Sequence, residues 1–419
     1  MKKITLTTIL IVMGIVVVSC ASNKPLSESP DISEEFVSTF DMIHGVVAER
    51  YCHFNNKSID PSALYDKYRV LIGNSEDIVT FKLNMVQYFA ELKNIHSRIL
   101  FEQYGVFCDA QLVEDKVFID RIYKEGLYAG LHEKDEIIAV DDVPVWEWIG
   151  ENAKYVSAST VSSLLEMTAA SVFFSYSPVK RKYLVKSDNG LNEVILNLEK
   201  LDEEELYGLP ATENVKGEIL EEDIGYIALN SMTGSLAEFE AEYSKVEHLP
   251  YLIVDVRRNG GGNSGLSEAI TAAYLIEKPQ EACVSRRILQ PRQNHYKGKL
   301  ILLTGVRTGS AAESFVLDIK ESGRAIIVGL DTAGDTGNSP QSYSLNGLYG
   351  SPPDGGSELR NTVFRIPTRK PPQISPKGFP MEGVGIPPEY YVETKVEDYL
   401  NNVDGVLEFA VKLIRNEEI

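Results

Sequence analysis

The sequence has few cysteines, few histidines and no excess of positive charge. Its four cysteines and six histidines are scattered among 419 residues, and no spacing typical of a zinc site or a disulfide scaffold appears. Acidic residues outnumber basic ones by 61 to 41, which gives a formal net charge of −20. Phosphate contacts need basic patches, so this balance argues against nucleic acid as a partner. No metal or other cofactor is predicted.

The first twenty residues form a separate segment. Two lysines precede an apolar run that is too short to span a bilayer and ends in Val-Val-Ser-Cys at Cys20. This ending resembles the lipobox of bacterial lipoproteins. The resemblance implies a signal peptide at residues 1–19 and lipidation of the Cys20 sulfur, with residues 20–32 as a tether; a plain secretory signal is the alternative. The protein is then expected in the bacterial cell envelope, lipid-anchored, and Ala21 favours the outer membrane.

The rest of the chain predicts a multi-domain α+β protein. A hydrophobic content of 43% and an aromatic content of 9% are typical of folded globular chains. Residues 33–98 carry apolar side chains at helical spacing and predict an N-terminal helical bundle. Residues 99–203 have the pattern of short strands. In residues 204–419 strands and helices alternate, which favours an α/β core.

The strand-rich region resembles a PDZ domain in two places. Residues 126–141 follow the PDZ pattern in which a Gly-Leu pair precedes a strand, although Lys134 and Asp142 stand where that family usually has glycine. Tyr104-Gly105-Val106-Phe107 resembles the PDZ loop whose amides hold the terminal carboxylate of a peptide, and a β-turn is the equal alternative. PDZ-like domains bind peptides by adding a strand to a sheet edge.

A serine at a strand-to-helix turn is the main candidate for chemistry. The apolar strand at residues 300–303 leads through a glycine-containing turn to Ser310, which begins a helix that Gly323 ends. A serine in this position lies beside free backbone N–H groups, which an acyl-transfer site needs for its oxyanion. Ser310 and Glu313 also fit an ordinary helix capping box. The segment alone leaves both interpretations open.

Three consecutive glycines follow another apolar strand. Asp255-Val256-Arg257-Arg258-Asn259-Gly260-Gly261-Gly262 lets the backbone turn sharply and bring amides close to a ligand. A phosphate loop is discounted because no Gly-Lys-Ser/Thr follows, and a simple tight turn is the alternative. Together with Gly-Ser-Ala-Ala-Glu at residues 309–313, this string resembles the tail-specific, or C-terminal processing, serine peptidases. The resemblance implies that Ser310 is the nucleophile and that N–H groups of Gly260 or Gly261 and of Ala311 form the oxyanion hole.

The chain departs from that family at the general base. Where the processing-peptidase branch has its catalytic lysine, this chain has Asp335, so a Ser–Lys dyad of the usual kind is absent. Lys320 lies on the same predicted helix as Ser310. Because it is close to three helical turns away, about 15 Å of rise, it cannot replace the missing lysine.

A histidine is the base in another branch, which includes the tricorn core protease. Leu92-Lys93-Asn94-Ile95-His96-Ser97 resembles the histidine string of that branch, with Asn94 and Ile95 in place of Asp and Gly. Glu382 begins the string Glu-Gly-Val-Gly-Ile-Pro-Pro-Glu, which resembles the one that carries the orienting glutamate. The resemblance implies that His96 is the general base and that Glu382 orients it.

Nucleophilic catalysis by a serine requires the same residue types. A serine hydroxyl is a poor nucleophile until a base takes its proton, and a carboxylate behind an imidazole fixes its tautomer. The sequence therefore predicts an exported serine endopeptidase that cleaves unfolded or C-terminally exposed polypeptides through a Ser310 acyl-enzyme. One alternative is a catalytically inactive peptide-binding relative, in which Asn94 and Ile95 misplace His96. The other is an esterase or amidase for small substrates.

Overall fold

The structure is a computed structural model that describes residues 32–123, 128, 130–201, 213–221, 223–336, 339–349, 358–369 and 373–416. Cys20, the predicted signal peptide and most of the tether lie outside these residues. Within the described ranges, no helix combines the length and the apolar character needed to cross a bilayer.

The helices and strands alternate along the described chain. The α-helices are α1 (Ile32–Arg50), α2 (Pro61–Gly73), α3 (Ile78–Ala90), α4 (Val145–Asn152), α5 (Val161–Ala170), α6 (Leu236–Tyr243), α7 (Ser264–Ile270), α8 (Ala311–Ser322), α9 (Leu345–Tyr349), α10 (Val396–Leu400) and α11 (Gly405–Arg415). The first strands are β1 (Arg98–Leu100), β2 (Tyr104–Gly105), β3 (Cys108–Val113), β4 (Lys116–Ile122), β5 (Glu136–Val140), β6 (Val143–Pro144), β7 (Phe174–Ser175), β8 (Val179–Ser187) and β9 (Gly190–Lys200). The later strands are β10 (Val215–Glu221), β11 (Ile224–Leu229), β12 (Tyr251–Asp255), β13 (Gln280–Glu281), β14 (Ile288–Leu289), β15 (Lys299–Thr304), β16 (Ala325–Gly329), β17 (Pro340–Ser344), β18 (Val363–Pro367) and β19 (Tyr390–Tyr391).

A six-stranded sheet forms the centre of the C-terminal half. Its order is β10-β11-β12-β15-β16-β19, and every pair from β11 onward is parallel. Alternate residues of the central strands enter two different apolar cores, as a sheet covered on both faces requires. Leu252 and Leu302 pack with helices α6 to α8, whereas Ile253 and Ile301 pack against the C-terminal helix α11. The predicted α/β alternation is therefore present in this half of the chain.

Three neighbouring parallel strands end at one edge of this sheet. Strand β12 ends at Asp255, β15 at Thr304 and β16 at Gly329. The loops that follow these strands carry the glycine string, Ser310 and Asp335, respectively. Because the carboxyl ends of parallel strands meet at the same edge, segments far apart in sequence come together where α/β proteins commonly bind ligands.

The three N-terminal helices pack on each other and on a small antiparallel sheet of order β1-β18-β17. Asp60 and Asp77 cap α2 and α3 through hydrogen bonds that their carboxylates accept from backbone N–H groups. Strand β1 begins two residues after His96 and pairs with β18. Phe364 and Ile366 of β18 pack in the apolar core of the N-terminal helices. Because β18 also pairs with β1, the strand that follows His96 is held against this core.

The remaining unit, here called the β domain (residues 104–201), contains strands β2 to β9 and helices α4 and α5. Its strands follow the order β3-β4-β5-β8-β9-β2-β7, with β6 paired to β5. Two arginines of the α/β core fix it in place. Arg307 Nε lies 2.6 Å from Oε1 of Glu166, and Arg258 Nη2 lies 2.9 Å from Oδ1 of Asp120. Since both arginines come from the loops that carry the glycine string and Ser310, the β domain forms a wall beside these loops.

Candidate active site

Ser310 has a rare backbone conformation and a side chain that does not cap its helix. It lies between β15 and α8 with φ 51° and ψ −121°, a combination that non-glycine residues seldom adopt and that occurs mostly at functional sites. Its hydroxyl makes no capping hydrogen bond to α8. The capping-box interpretation is therefore wrong for this serine, and the Oγ atom is available for chemistry.

Glu313, the other residue of the expected capping box, holds a different loop. Its fully buried carboxyl accepts hydrogen bonds from the N–H groups of Gly334 (2.7 Å) and Asp335 (2.6 Å), and from the hydroxyl of Thr332. Burial raises the pKa of this carboxyl to about 8. These contacts attach the loop at 332–335 to the first turn of the nucleophile helix.

Asp335 lies against the imidazole ring of His96. Oδ2 of Asp335 is 2.6 Å from Nδ1 of His96, and both atoms are buried without any other hydrogen-bond partner. Burial alone would raise the pKa of Asp335, but the charge and the hydrogen bond of His96 hold it below its usual value. The carboxylate is therefore ionised at neutral pH, and Nε2 is the ring nitrogen that can accept a proton.

Glu382 lies behind Asp335, not against the ring as the sequence predicted. Its Oε1 is 2.6 Å from Nζ of Lys57, in a pair whose side chains are both at least nine-tenths buried. Burial, and then the negative charge of Asp335, raise the pKa of Glu382 to about 8 in spite of the Lys57 ammonium. Glu382 is therefore the more readily protonated of the two carboxyls, and it hydrogen-bonds to Asp335. The more acidic carboxyl thus lies beside His96 and the less acidic one behind it.

Asn94 joins the histidine segment to both carboxyls. Its Nδ2 donates to Oε1 of Glu382 (3.2 Å) and Oδ1 of Asp335 (3.4 Å), while its Oδ1 accepts from the N–H of His96 (3.0 Å). The Asn94 side chain is fully buried. An aspartate here would turn a carboxylate oxygen, in place of the Nδ2 donor, toward the two other carboxyls, so an amide fits this position. Asn94 fixes the backbone of His96 where the sequence suggested that it could displace it.

The glycine string lies directly against Ser310. Gly261 has φ +106°, and a Cβ atom there would lie 2.7 Å from Cβ of Ser310, so only glycine fits. Its N–H donates to Oδ1 of Asn259 (2.9 Å) and is not available for an oxyanion. The N–H groups of Gly260 and Ala311 have no acceptor within the described residues. Of the two glycines predicted for the oxyanion hole, the structure therefore favours Gly260.

Ser310 and His96 line one cavity of about 790 Å³, which is within the range typical of ligand sites. All three units of the fold contribute to its wall. The apolar lining residues are Val79, Leu83, Ile95, Trp148, Val156, Met167, Ala170, Phe174, Val306, Ala333 and Pro340. Among the residues that the structure describes, no three His, Cys, Asp or Glu side chains are grouped as a metal ion would require.

The predicted carboxylate-binding loop at Tyr104–Phe107 is not an open loop. Tyr104 and Gly105 form strand β2, which pairs with β7 on one side and with β9 on the other. Val106 and Phe107 are buried, and the N–H of Phe107 donates to the hydroxyl of Tyr128 (2.8 Å). These residues belong to the interior of the sheet, and their geometry does not support peptide binding.

Lys320 is engaged elsewhere, on the far part of α8. Its Nζ lies 2.6 Å from the carbonyl oxygen of Pro387 and 2.7 Å from Oε1 of Glu389. It fixes the C-terminal segment to the helix and is not among the residues that line the cavity with Ser310.

Two residues of the site were not predicted from the sequence. The sequence identifies Asp335 only as the residue that stands in place of a lysine, and it gives no role to Lys57. The sequence signal for Asp335 was its position, because it stands where the processing peptidases have a catalytic residue. No comparable sequence signal marks Lys57.

Comparisons with known proteins identify a peptidase family. Residues 223–392 match the model of peptidase family S41, and residues 112–198 match that of the N-terminal domain of Bacteroidetes S41 peptidases. The tricorn protease of Thermoplasma acidophilum is 24% identical over 420 residues, covering 94% of this chain but only 36% of that protein. The chain therefore spans about a third of the length of this relative.

Two further likenesses concern a short segment of the chain and its fold, respectively. The tail-specific protease of Haemophilus influenzae is 33% identical over 104 residues, which are 23% of this chain and 15% of that protein. The crystal structure of mature CPAF superposes with a TM-score of 0.71 at 11% identity, covering 93% of this chain and 99% of that one. The last likeness concerns the fold alone. From the family models and these relatives, the chain belongs to peptidase family S41, the serine peptidase family of the tail-specific and tricorn proteases.

Proposed function

We propose that this chain is an active serine endopeptidase with Ser310 as nucleophile, His96 as general base and Asp335 as the carboxylate that orients His96. The observation that carries the proposal is the 2.6 Å contact between Nδ1 of His96 and Asp335. It lies in the wall of the cavity that also contains the uncapped Ser310. A base, its orienting carboxylate and a nucleophile are the parts that a serine peptidase needs.

The proposed reaction assigns one step to each of these residues. As Oγ of Ser310 attacks the peptide carbonyl, Nε2 of His96 takes its proton, and Asp335 stabilises the imidazolium that forms. The N–H groups of Gly260 and Ala311 donate hydrogen bonds to the oxyanion. The imidazolium then protonates the leaving amine, which leaves an acyl group on Ser310. His96 next activates a water molecule that hydrolyses this acyl-enzyme and regenerates the hydroxyl.

Glu382 and Lys57 support Asp335 from behind. A protonated Glu382 donates a hydrogen bond to Asp335 and holds it in place without adding a second negative charge beside the ring. Lys57 in turn holds Glu382 through the 2.6 Å contact. Glu382 is thus proposed as a positioning residue that acts on His96 through Asp335, whereas the sequence implied that it orients His96 directly.

The proposed substrate is an unfolded or C-terminally exposed polypeptide. The cavity wall includes residues from the α/β core, the β domain and the N-terminal helices, so an extended chain that enters it would contact all three units. A PDZ-like role of the β domain would then be to present the peptide along this wall. The proposed export and lipid anchoring at Cys20 rest on the sequence of the first twenty residues.

The first test is cleavage of an unfolded protein, such as reduced casein, by residues 21–419 as wild type and as Ser310→Ala, read by intact mass. We expect fragments from the wild type alone. His96→Ala should remove the activity, whereas Lys320→Ala, a change of a lysine on the same helix as the nucleophile, should keep it. Absence of cleavage by the wild type would favour the inactive peptide-binding alternative. Hydrolysis that ignores peptide length would favour the esterase or amidase alternative.

A further inference from the structure

An arginine without an anionic partner lies in the wall of the active-site cavity. Arg98 follows His96 by two residues and lines the same cavity as Ser310. Its Nε is buried and makes no hydrogen bond. Within the described ranges no carboxylate lies within ion-pair distance of the guanidinium; Asp335 attracts it from beyond that distance and is itself in contact with His96. Burial of a cation costs free energy unless the cation is paired and hydrogen-bonded. An anion bound beside Arg98 would therefore be stabilising.

A second arginine increases the positive charge at this point. Arg98 of β1 stands directly opposite Arg365 of β18 in the antiparallel ladder, an arrangement of like charges that is unfavourable by itself. Nε of Arg365 donates to the hydroxyl of Ser342 (3.1 Å), a neutral acceptor. Burial and the charge of Arg365 lower the pKa of Arg98 to about 9, which still leaves it charged at neutral pH.

The other charges of the cavity wall are already compensated. Three more arginines line the cavity, and each has a carboxylate partner: Arg181 with Asp141 at 3.5 Å, Arg258 with Asp120 at 2.9 Å and Arg307 with Glu166 at 2.6 Å. The lining itself contains four arginines and two carboxyl residues, Asp109 and Glu166, in a chain whose net charge is −20. Three of these arginines are thus balanced by carboxylates, two of which lie outside the lining, and Arg98 is the lining arginine without an ion-pair partner among the described residues.

We propose that Arg98 forms a subsite for an anion, in which its guanidinium binds a carboxylate of the bound peptide. The carboxylate belongs to an acidic side chain near the scissile bond or to the free C-terminus of the peptide. A guanidinium matches a carboxylate through two parallel hydrogen bonds, and a bound carboxylate also relieves the repulsion from Arg365. The subsite deepens the proposed function by naming the class of peptide that the cavity selects.

The test uses pairs of synthetic peptides built around a cleavage site mapped in an unfolded protein. One arm exchanges Glu for Gln at each position near the scissile bond, and the other exchanges a free C-terminus for an amide. We expect the wild type to prefer one carboxylate by about tenfold or more in kcat/KM, mainly through KM, as for a charged hydrogen bond. The arm that shows the preference identifies the source of the carboxylate.

Three variants assign the preference to Arg98. Arg98→Gln should lose it, and Arg98→Lys, which keeps the charge, should keep part of it. Arg69→Gln removes an arginine from the exposed surface of α2 and should keep all of it. Because Arg98 is unpaired, Arg98→Gln should melt at or above the temperature of the wild type, which separates lost recognition from lost folding. The subsite would be refuted if the wild type cleaved the charged and the neutral peptide of every pair at equal rates, or if Arg98→Gln retained the preference.

A binding measurement keeps the subsite testable apart from catalysis. The same peptide pairs, titrated calorimetrically into Ser310→Ala and into Ser310→Ala/Arg98→Gln, should show a carboxylate preference in the first protein only. A wild type that cleaves nothing while Ser310→Ala still shows this preference would reject the proposed function and retain the subsite. Cleavage without any carboxylate preference would do the reverse.

Discussion

Asp335→Asn should reduce kcat far more than Glu382→Gln, although both changes replace a buried carboxyl by an amide of the same size. The structure places Asp335 2.6 Å from Nδ1 of His96 and makes it the ionised member of the pair. Asparagine cannot balance an imidazolium, and its NH2 group can stabilise the wrong ring tautomer. Glutamine, in contrast, can donate to Asp335 as the protonated Glu382 does.

The expected difference is large. A carboxylate and an imidazolium 2.6 Å apart attract each other by about 6 kcal/mol at an effective dielectric constant of about 20. Each step of about 1.4 kcal/mol in the barrier is tenfold in rate, so the full interaction corresponds to about 10⁴-fold in kcat. Since asparagine keeps part of the local dipole, Asp335→Asn should lower kcat by about 10³- to 10⁴-fold. For Glu382→Gln, one altered neutral hydrogen bond predicts a loss of about tenfold or less.

The assay is the initial rate of cleavage of a quenched fluorescent peptide by the two variants and the wild type at pH 7, with substrate above KM. Circular dichroism and urea unfolding would establish that each variant is folded. Equal losses in the two variants, or a larger loss in Glu382→Gln, would refute the assignment. The orienting role would then belong to Glu382, as the resemblance to the tricorn branch implies.

Two further predictions concern the nucleophile loop and the buried carboxyls. Gly261→Ala should abolish cleavage and destabilise the fold by about 1–3 kcal/mol in urea unfolding, because its Cβ would lie 2.7 Å from Cβ of Ser310. The matched control is Gly260→Ala. Its Cβ would have no atom within 4 Å, so this variant should unfold as the wild type does. Glu313 and Glu382 have pKa values raised from 4.5 to about 8, so the folded state binds their protons more tightly than the unfolded state. Stability should therefore fall as pH rises from about 4.5 to about 8 and level off above that, and Glu313→Gln or Glu382→Gln should flatten this slope in urea unfolding.

The chemistry-bearing residues that are local in sequence could be predicted from it. The glycine string and the Ser310 turn are motifs of a few consecutive residues after an apolar strand, and their backbone roles follow from the order of strand, turn and helix. The end of the nucleophile helix at Gly323 is also local, because a left-handed C-cap (φ +70°) needs glycine. These features could be read from short windows of the chain.

Features that depend on distant contacts could not be read in this way. Ser310 and Glu313 have the spacing of a capping box, yet Glu313 is fully buried and bonds the loop at 332–335. Tyr104–Phe107 has the composition of a turn, yet strands from the far end of the β domain enclose it. In both cases contacts between residues far apart in sequence determine the structure, and a short window of the chain does not contain them.

The replacement of lysine by Asp335 is not an isolated substitution but part of a rearranged set of donors and acceptors. A carboxylate at this position is surrounded by donors: the ring of His96, Nδ2 of Asn94 and the proton of Glu382. Its own N–H is held by Glu313. A lysine here would bring a cation with three more donors into the same buried space and leave the surrounding donors without an acceptor. The position therefore fits an acceptor beside a histidine, as the proposed arrangement of Ser310, His96 and Asp335 requires.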